Sequence, residues 1–309
     1  MKPAIWTLSD MPSQVGRRAV VTGTGGLGYQ DALALARAGA GVIIAGRNAD
    51  KGEAAVEKVR GSISTANVRF EMLDLANLRS IAAFAERIGG ERVDLLVNNA
   101  AVMAPPRRLA TADGFELQFG TNYLGHFALT AQLLPLLRRS RSPRVVNVSA
   151  LAARDGVIGF DDLQMERSYR PWAAYCQSKL ANLLFSFELQ RRSDAAGWGL
   201  ASIAAHPGIS RTDLVANGFG RDSAASVLMN LFGPIFFQAA DQGALPTLYG
   251  ATSQGAKPGA YYGPNSRREM RGGPALARIP PQAEDKDIAH RLWGLSEQLV
   301  HLTFGATSE

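Results

Sequence analysis

Residues 18–28 read RAVVTGTGGLG, an apolar run that ends in glycines at 23, 25 and 28. The stretch Arg18 to Thr22 suits a buried strand, since its valines favour a pleated surface and no polar alternation interrupts them. Glycine directly after such a strand lets the chain turn sharply and bring backbone N–H groups against an anion, with a helix N-terminus behind them. The spacing fits G-x-G-x-x-G, which marks a dinucleotide site only between a strand and a helix, because tight strand-to-helix packing also uses glycine for its own sake. Apolar residues at three- and four-residue spacing follow from Tyr29 to Ala38, so that context is present. Gly23, Gly25, Leu27 and Gly28 are therefore read as a cradle for a dinucleotide pyrophosphate.

Outward from this turn, short apolar runs alternate with longer amphipathic ones. Strands are expected at Val42 to Ala45, Val68 to Leu73, Val93 to Asn98, Arg144 to Ser149 and Leu200 to Ala204. Helices are expected at Asp50 to Arg60, Ser80 to Ile88, Gly114 to Arg139 and Ala173 to Arg192. That alternation predicts a Rossmann-type, doubly wound parallel sheet with helices on both faces, an α/β fold in one domain across residues 1–309. Residues 1–16 read as an N-terminal extension. After Pro207 the pattern breaks, and residues 213–234 are expected to be a mobile substrate loop, with Phe219, Leu228 and Phe232 among its apolar residues. A helix from Ile235 to Thr252, a short strand from Gly259 to Tyr262, an irregular Pro/Gly/Arg-rich connection and a helix from Asp285 to Leu302 complete the chain.

With 46% hydrophobic and 19% charged residues, the 309-residue chain can fill one large core. Its net charge of +6 is spread over scattered pairs such as Arg107-Arg108 and Arg191-Arg192, which suit solvated helix ends rather than a nucleic-acid surface. The lone Cys176 excludes an intrachain disulfide, and His126, His206, His290 and His301 lack metal-ligand spacing, so no metal is expected. No apolar run reaches a membrane-spanning length or resembles a signal peptide, and the expected location is cytoplasmic with no membrane anchor.

The second strand leads into Ala45-Gly46-Arg47-Asn48. A free ribose 2′-hydroxyl calls for a carboxylate there, whereas a 2′-phosphate calls for a base. Arg47 offers a planar fork for a phosphate, with Lys51 as a second candidate, although an arginine can also simply cap a strand end in water. NADP(H) is thus expected ahead of NAD(H). Tyr175 and Lys179 stand at i and i+4 on one helical face. A phenol of pKa near 10 is a poor acid–base catalyst at neutral pH, and an adjacent ammonium favours its ionised form. Without further context such a pair would merely decorate a surface.

Context comes from several further motifs: Asp74-Leu75, Asn98-Asn99-Ala100, Asn122 in Thr121-Asn122-Tyr123-Leu124-Gly125-His126-Phe127, Phe160-Asp161-Asp162-Leu163, and Pro207-Gly208-Ile209-Ser210-Arg211-Thr212. In this order, over residues 17–305, they resemble the short-chain dehydrogenase/reductase family, in the branch of retinol dehydrogenases and bacterial carbonyl reductases. The resemblance implies that Asp74 and Leu75 meet adenine, and that Asn98, Asn99 and Ala100 line the cofactor path with Asn48. It makes Tyr175 the proton donor, Lys179 its activator and ribose ligand, and Asn122 the holder of a relay water. Pro207, Gly208, Ile209 and Thr212 would orient the nicotinamide. It also makes a homo-oligomer through the two long helices an expectation beside a monomer.

Two departures stand out. Gly23 and Gly28 are one residue closer together than the family's usual turn, which leaves the NADP preference resting mostly on Arg47. Ser149-Ala150 replaces the usual Ser-Ser after the fifth strand, and the spacing back from Tyr175 puts Ala150 where the substrate-binding serine belongs. Ser149 should face the other way in extended chain. Losing one donor to a developing oxyanion costs roughly a hundredfold to a thousandfold. The expected activity is hydride transfer between NADPH and a hydrophobic ketone or aldehyde, or the reverse from an alcohol. An NADP(H)-binding sensor or partner-binding protein with little turnover is the alternative that Ala150 supports.

Overall fold

A computed structural model describes residues 6–209, 238–266 and 268–305. The expected substrate loop, Thr212 and the apolar residues of that loop lie outside the described residues. Eight strands form one sheet in the order β3-β2-β1-β4-β5-β6-β7-β8. The strands are β1 (Arg18–Thr22), β2 (Gly41–Gly46), β3 (Val68–Met72), β4 (Leu95–Asn98), β5 (Arg144–Val148), β6 (Ala201–Ala205), β7 (Tyr261–Ser266) and β8 (Arg271–Leu276). All pairings are parallel except that of β7 with β8. The helices are α1 (Gly26–Arg37), α2 (Ala49–Ser62), α3 (Leu78–Arg87), α4 (Gly125–Leu137), α5 (Pro171–Ala196), α6 (Ala240–Thr252), the single turn α7 (Pro281–Glu284) and α8 (Lys286–Val300).

Alternation along the strands divides two cores. Val20, Ile43, Leu96 and Val145 face one side, where α3, α4, α5 and α8 cover them. Val21, Ile44, Val97 and Val146 face the other, under α1, α2 and α6. Side chains two residues apart share a face, so the central strands are mostly apolar while feeding both layers. Chain order reverses between β1 and β4, and in such sheets the crevice beyond the strand C-termini is the usual place for a ligand.

Two elements differ from expectation. The long fourth helix begins with a π turn at Phe119–Leu124, where the Gly125 N–H reaches back five residues to the Gly120 carbonyl. The irregular connection after residue 262 is instead the antiparallel hairpin β7–β8. Its proline and glycines hide a strand pattern, and its position at the sheet edge is where a missing N–H from proline is tolerated.

Candidate active site

The cleft opens at the C-terminal ends of the central strands and holds about 1230 Å³. One half is backbone. Gly23 follows β1 with φ of +103°, a region that favours glycine, and its N–H donates to the Ala45 carbonyl at 2.8 Å. A Cβ at Gly28 would stand 2.6 Å from Asn99 Nδ2, so only glycine lets α1 begin this close to the loop after β4. Gly25 caps α1 in extended conformation with no side-chain hydrogen bond to the first turn. The free N–H groups of that turn, with Gly23 to Leu27, therefore border the cleft and fit a pyrophosphate. Arg47, Asn48, Lys51 and Lys58 line the end of the cleft past β2. The Asn48 side chain is committed to capping α2, accepting from the Lys51 N–H at 2.8 Å. Lys58 lies two helical turns beyond Lys51, a spacing legible in the sequence but not weighed there. Asp74 and Leu75 form the adjacent wall.

The other half is built around α5. Tyr175 is only 5% exposed yet borders the cleft, and Lys179 is nearly as deep at 3%. Lys179 Nζ lies 5.8 Å from the Tyr175 ring centre and donates to the Val148 carbonyl at 3.0 Å. Burial lowers Lys179 to about 8, and burial followed by the neighbouring Cys176 pushes the Tyr175 phenol up. Burial thus dominates the phenol here, while the Lys179 ammonium is bonded to the Val148 carbonyl. Ser149 and Ala150 both border the cleft, but the Ser149 hydroxyl is committed to the Lys179 carbonyl at 2.7 Å and Ala150 offers only a methyl. Met103, Leu151, Ala152 and the half-exposed Trp172 give this half apolar walls. The Trp172 ring lies 5.6 Å from that of Tyr175, tilted by 35°, and carried no signal in the sequence beyond its place at the start of the helix.

Asn122 is fully buried in the π turn. Its Oδ1 accepts from the Val102 N–H at 2.7 Å, while its Nδ2 donates to the Val102 carbonyl at 2.9 Å and to Ser178 Oγ at 3.0 Å. The carboxamide is thus engaged in holding the loop after β4. Asn98 departs from its expected place on the cofactor path. It faces inward, donating to Thr130 at 3.0 Å and Asn147 at 2.9 Å, because even-numbered positions of β4 point to the α4 layer. Asn99 and Ala100 do border the cleft.

Pro207, Gly208 and Ile209 close the far end. They are braced by residues that the sequence did not single out. Ile209 N–H donates to the Met270 carbonyl at 3.0 Å, and Gln238 donates through Nε2 to the Pro207 carbonyl at 2.6 Å. Glu269, in the β7–β8 turn, accepts from Arg154 at 2.6 Å and from His206 Nε2 at 3.1 Å, pinning the hairpin beside the site.

A sequence profile of the family described as short chain dehydrogenase matches residues 17–221. Retinol dehydrogenase 13 of Mus musculus is 43% identical over 297 residues, spanning 93% of this chain and 84% of that protein. Polyprenol dehydrogenase of Homo sapiens is 41% identical over 249 residues, spanning 78% and 74% respectively. The crystal structure of an uncharacterized protein from Mycobacterium paratuberculosis superposes with a TM-score of 0.82 at 42% identity, covering 98% of this chain and all of that one.

Proposed function

The chain belongs to the short-chain dehydrogenase family, in its retinol dehydrogenase-like part, and from that premise we propose that it interconverts a hydrophobic ketone or aldehyde and its alcohol using NADP(H). The observation that carries the reading is one cleft with a glycine cradle at one end and Tyr175 beside Lys179 at the other. The nicotinamide cofactor supplies or takes up the hydride at the carbonyl carbon. Tyr175 donates its phenolic proton to the substrate oxygen in reduction and recovers it in oxidation. Lys179 keeps positive charge 5.8 Å from the phenol ring, and its ammonium would hold the nicotinamide ribose on leaving the Val148 carbonyl. Arg47, Lys51 and Lys58 would hold the 2′-phosphate, and among the described cleft-lining residues at that end only Asp74 is acidic. Met103, Leu151 and Trp172 favour an apolar substrate, in keeping with relatives named for retinol and polyprenol.

Ala150 favours a second reading, a cofactor-binding sensor with little turnover. One set of measurements separates them. Fluorescence titration is expected to give NADPH at least about tenfold tighter than NADH, with Arg47→Ala removing most of that gap. A panel of apolar ketones, aldehydes and alcohols is expected to show turnover that Tyr175→Phe lowers by about a hundredfold or more. Equal affinity for the two cofactors overturns the NADP assignment. Tight binding without turnover across the panel establishes the sensor.

A further inference from the structure

The loop Asn99 to Val102 lines the cleft between the cradle and Tyr175 and is held at both ends by side chains behind it. At its start, Thr22 Oγ1 accepts from the Asn99 N–H at 2.9 Å and the Ala100 N–H at 3.0 Å. At its end, Asn122 pairs with both backbone groups of Val102. Asn122 also donates to Ser178 Oγ, which in turn donates to the Tyr175 carbonyl at 2.8 Å. The two holders are joined to each other by His126, which is 2% exposed. Its Nδ1 lies 2.9 Å from the Asn122 carbonyl and its Nε2 2.9 Å from Thr22 Oγ1.

Chemistry fixes the proton. A carbonyl only accepts, so Nδ1 carries the hydrogen and Nε2 presents its lone pair. Thr22 Oγ1 already accepts two N–H groups, and of the two acceptors within its reach the Nε2 lone pair at 2.9 Å is nearer than the Val97 carbonyl at 3.3 Å, so its proton goes to the ring. The alternative tautomer would set two acceptors face to face at Nδ1 and crowd a third donor onto Thr22. Burial, with Lys179 nearby, also keeps the ring neutral at ordinary pH, although the backbone bond to Asn122 opposes this.

We propose that His126 is a positioning residue for hydride transfer: as a neutral Nδ1–H imidazole it closes a ring through Thr22, the loop Asn99–Val102 and Asn122, and so sets the cofactor cradle against the helix that carries Tyr175. The ring needs both nitrogens at once, which leaves no other side chain of its size as an equivalent. The kinetic part rests on the oxidoreductase reading, whereas the structural part does not.

Long-range ¹H–¹⁵N spectra of the cofactor-free protein are expected to show the Nδ1–H tautomer of His126 from about pH 6 to about pH 8. Hydrogen exchange read by mass spectrometry is expected to speed up about tenfold or more in residues 99–103 of His126→Phe, with β2 and β3 unchanged. On an accepted carbonyl, kcat is expected to fall about tenfold or more while KM stays within about threefold. His126→Asn, which keeps a donor near the Asn122 carbonyl, recovers part of that loss. Should His126→Phe not fold, Thr22→Val carries the same exchange and kinetic expectations, with Thr22→Ser retaining the native behaviour. An Nε2–H tautomer, or unchanged exchange in residues 99–103, overturns the proposal. Faster exchange in a protein whose unsubstituted form turns over nothing leaves the ring established and removes the oxidoreductase reading instead.

Discussion

A methyl at Ala150 borders the cleft where a hydroxyl would otherwise steady the substrate oxygen, and the adjacent Ser149 has its hydroxyl committed to the Lys179 carbonyl of α5. Turning the Ser149 hydroxyl towards a substrate would cost that buried hydrogen bond. Ala150→Ser is therefore expected to raise kcat/KM on simple ketones by about tenfold or more, a part of the roughly hundredfold worth of one such donor. Steady-state kinetics of both forms on one ketone panel check this, and no gain on any ketone shows that the site has replaced the serine by other means. Lys179 sets a second expectation. Burial brings it down to about 8 while pushing Tyr175 up, so on raising the pH the ammonium is lost before the phenol ionises. Carbonyl reduction needs the protonated phenol and the charged lysine together. Its kcat/KM is expected to be flat in mildly acidic buffer and to fall above about pH 8, with Lys179→Arg moving that limb upward by about two units or more. A limb that stays in place in Lys179→Arg belongs to another group. Tyr175, Lys179 and the glycines were legible because the chemistry needs those residue types at fixed spacing. The direction of the Lys179 ammonium and the saturation of Asn122 were not, since both depend on residues 20 to 56 positions away in the chain.

Helix α1 shows what a single element conceals. Its apolar periodicity and glycine start made it the most readable helix, yet Asp31 sits within it fully buried, both oxygens without a hydrogen-bond partner among the described residues. Burial raises its pKa well above the ordinary value. At acid pH the carboxyl is neutral in folded and unfolded chains alike. As pH climbs past the ordinary carboxylate range, the unfolded chain gives up this proton while the fold retains it. Stability therefore declines with rising pH, by up to about 1.4 kcal/mol per unit, until the folded-state pKa is passed. Asp31→Ala removes the orphaned group and installs the best helix former, and is expected to stabilise the protein by about 1–3 kcal/mol near neutral pH while flattening the decline. Thermal melts across pH decide it: an alanine variant that melts lower at neutral pH means that the carboxyl has a partner. The π turn and the β7–β8 hairpin were illegible for a related reason. Helical periodicity does not distinguish a four- from a five-residue hydrogen bond over one turn, and Pro264 and Pro274 in the hairpin read locally as breakers.

At the scale of the whole molecule, the parallel sheet was foreseeable because strands buried on both faces must be apolar throughout, and six such runs separated by helices admit few arrangements. What periodicity left open was which helix faces the chain covers for itself. α5 is buried at every residue from Ala174 to Gln190. Its surroundings are β5, β6, the π turn, α7 and α8, so the face that might have met a second subunit is already packed. Trp293 from α8 seals it, 5.0 Å from the Phe127 ring, 5.7 Å from Phe185 and 4.5 Å from Phe304, with the Arg192 guanidinium 4.4 Å over its outer face. A helix whose central turns are covered on all sides offers no self-complementary patch there. The protein is therefore expected to be monomeric in solution, against the oligomer that the resemblance suggests, with light scattering giving the mass of one chain at micromolar concentration. Trp293→Ala opens this seal and is expected to lower stability by about 3–5 kcal/mol, at the lower end because the indole N–H has no partner to lose. It should also promote self-association through the uncovered α4 and α5 surface. A dimer in the unsubstituted protein that survives this substitution places the contact elsewhere, on a surface that α8 does not govern.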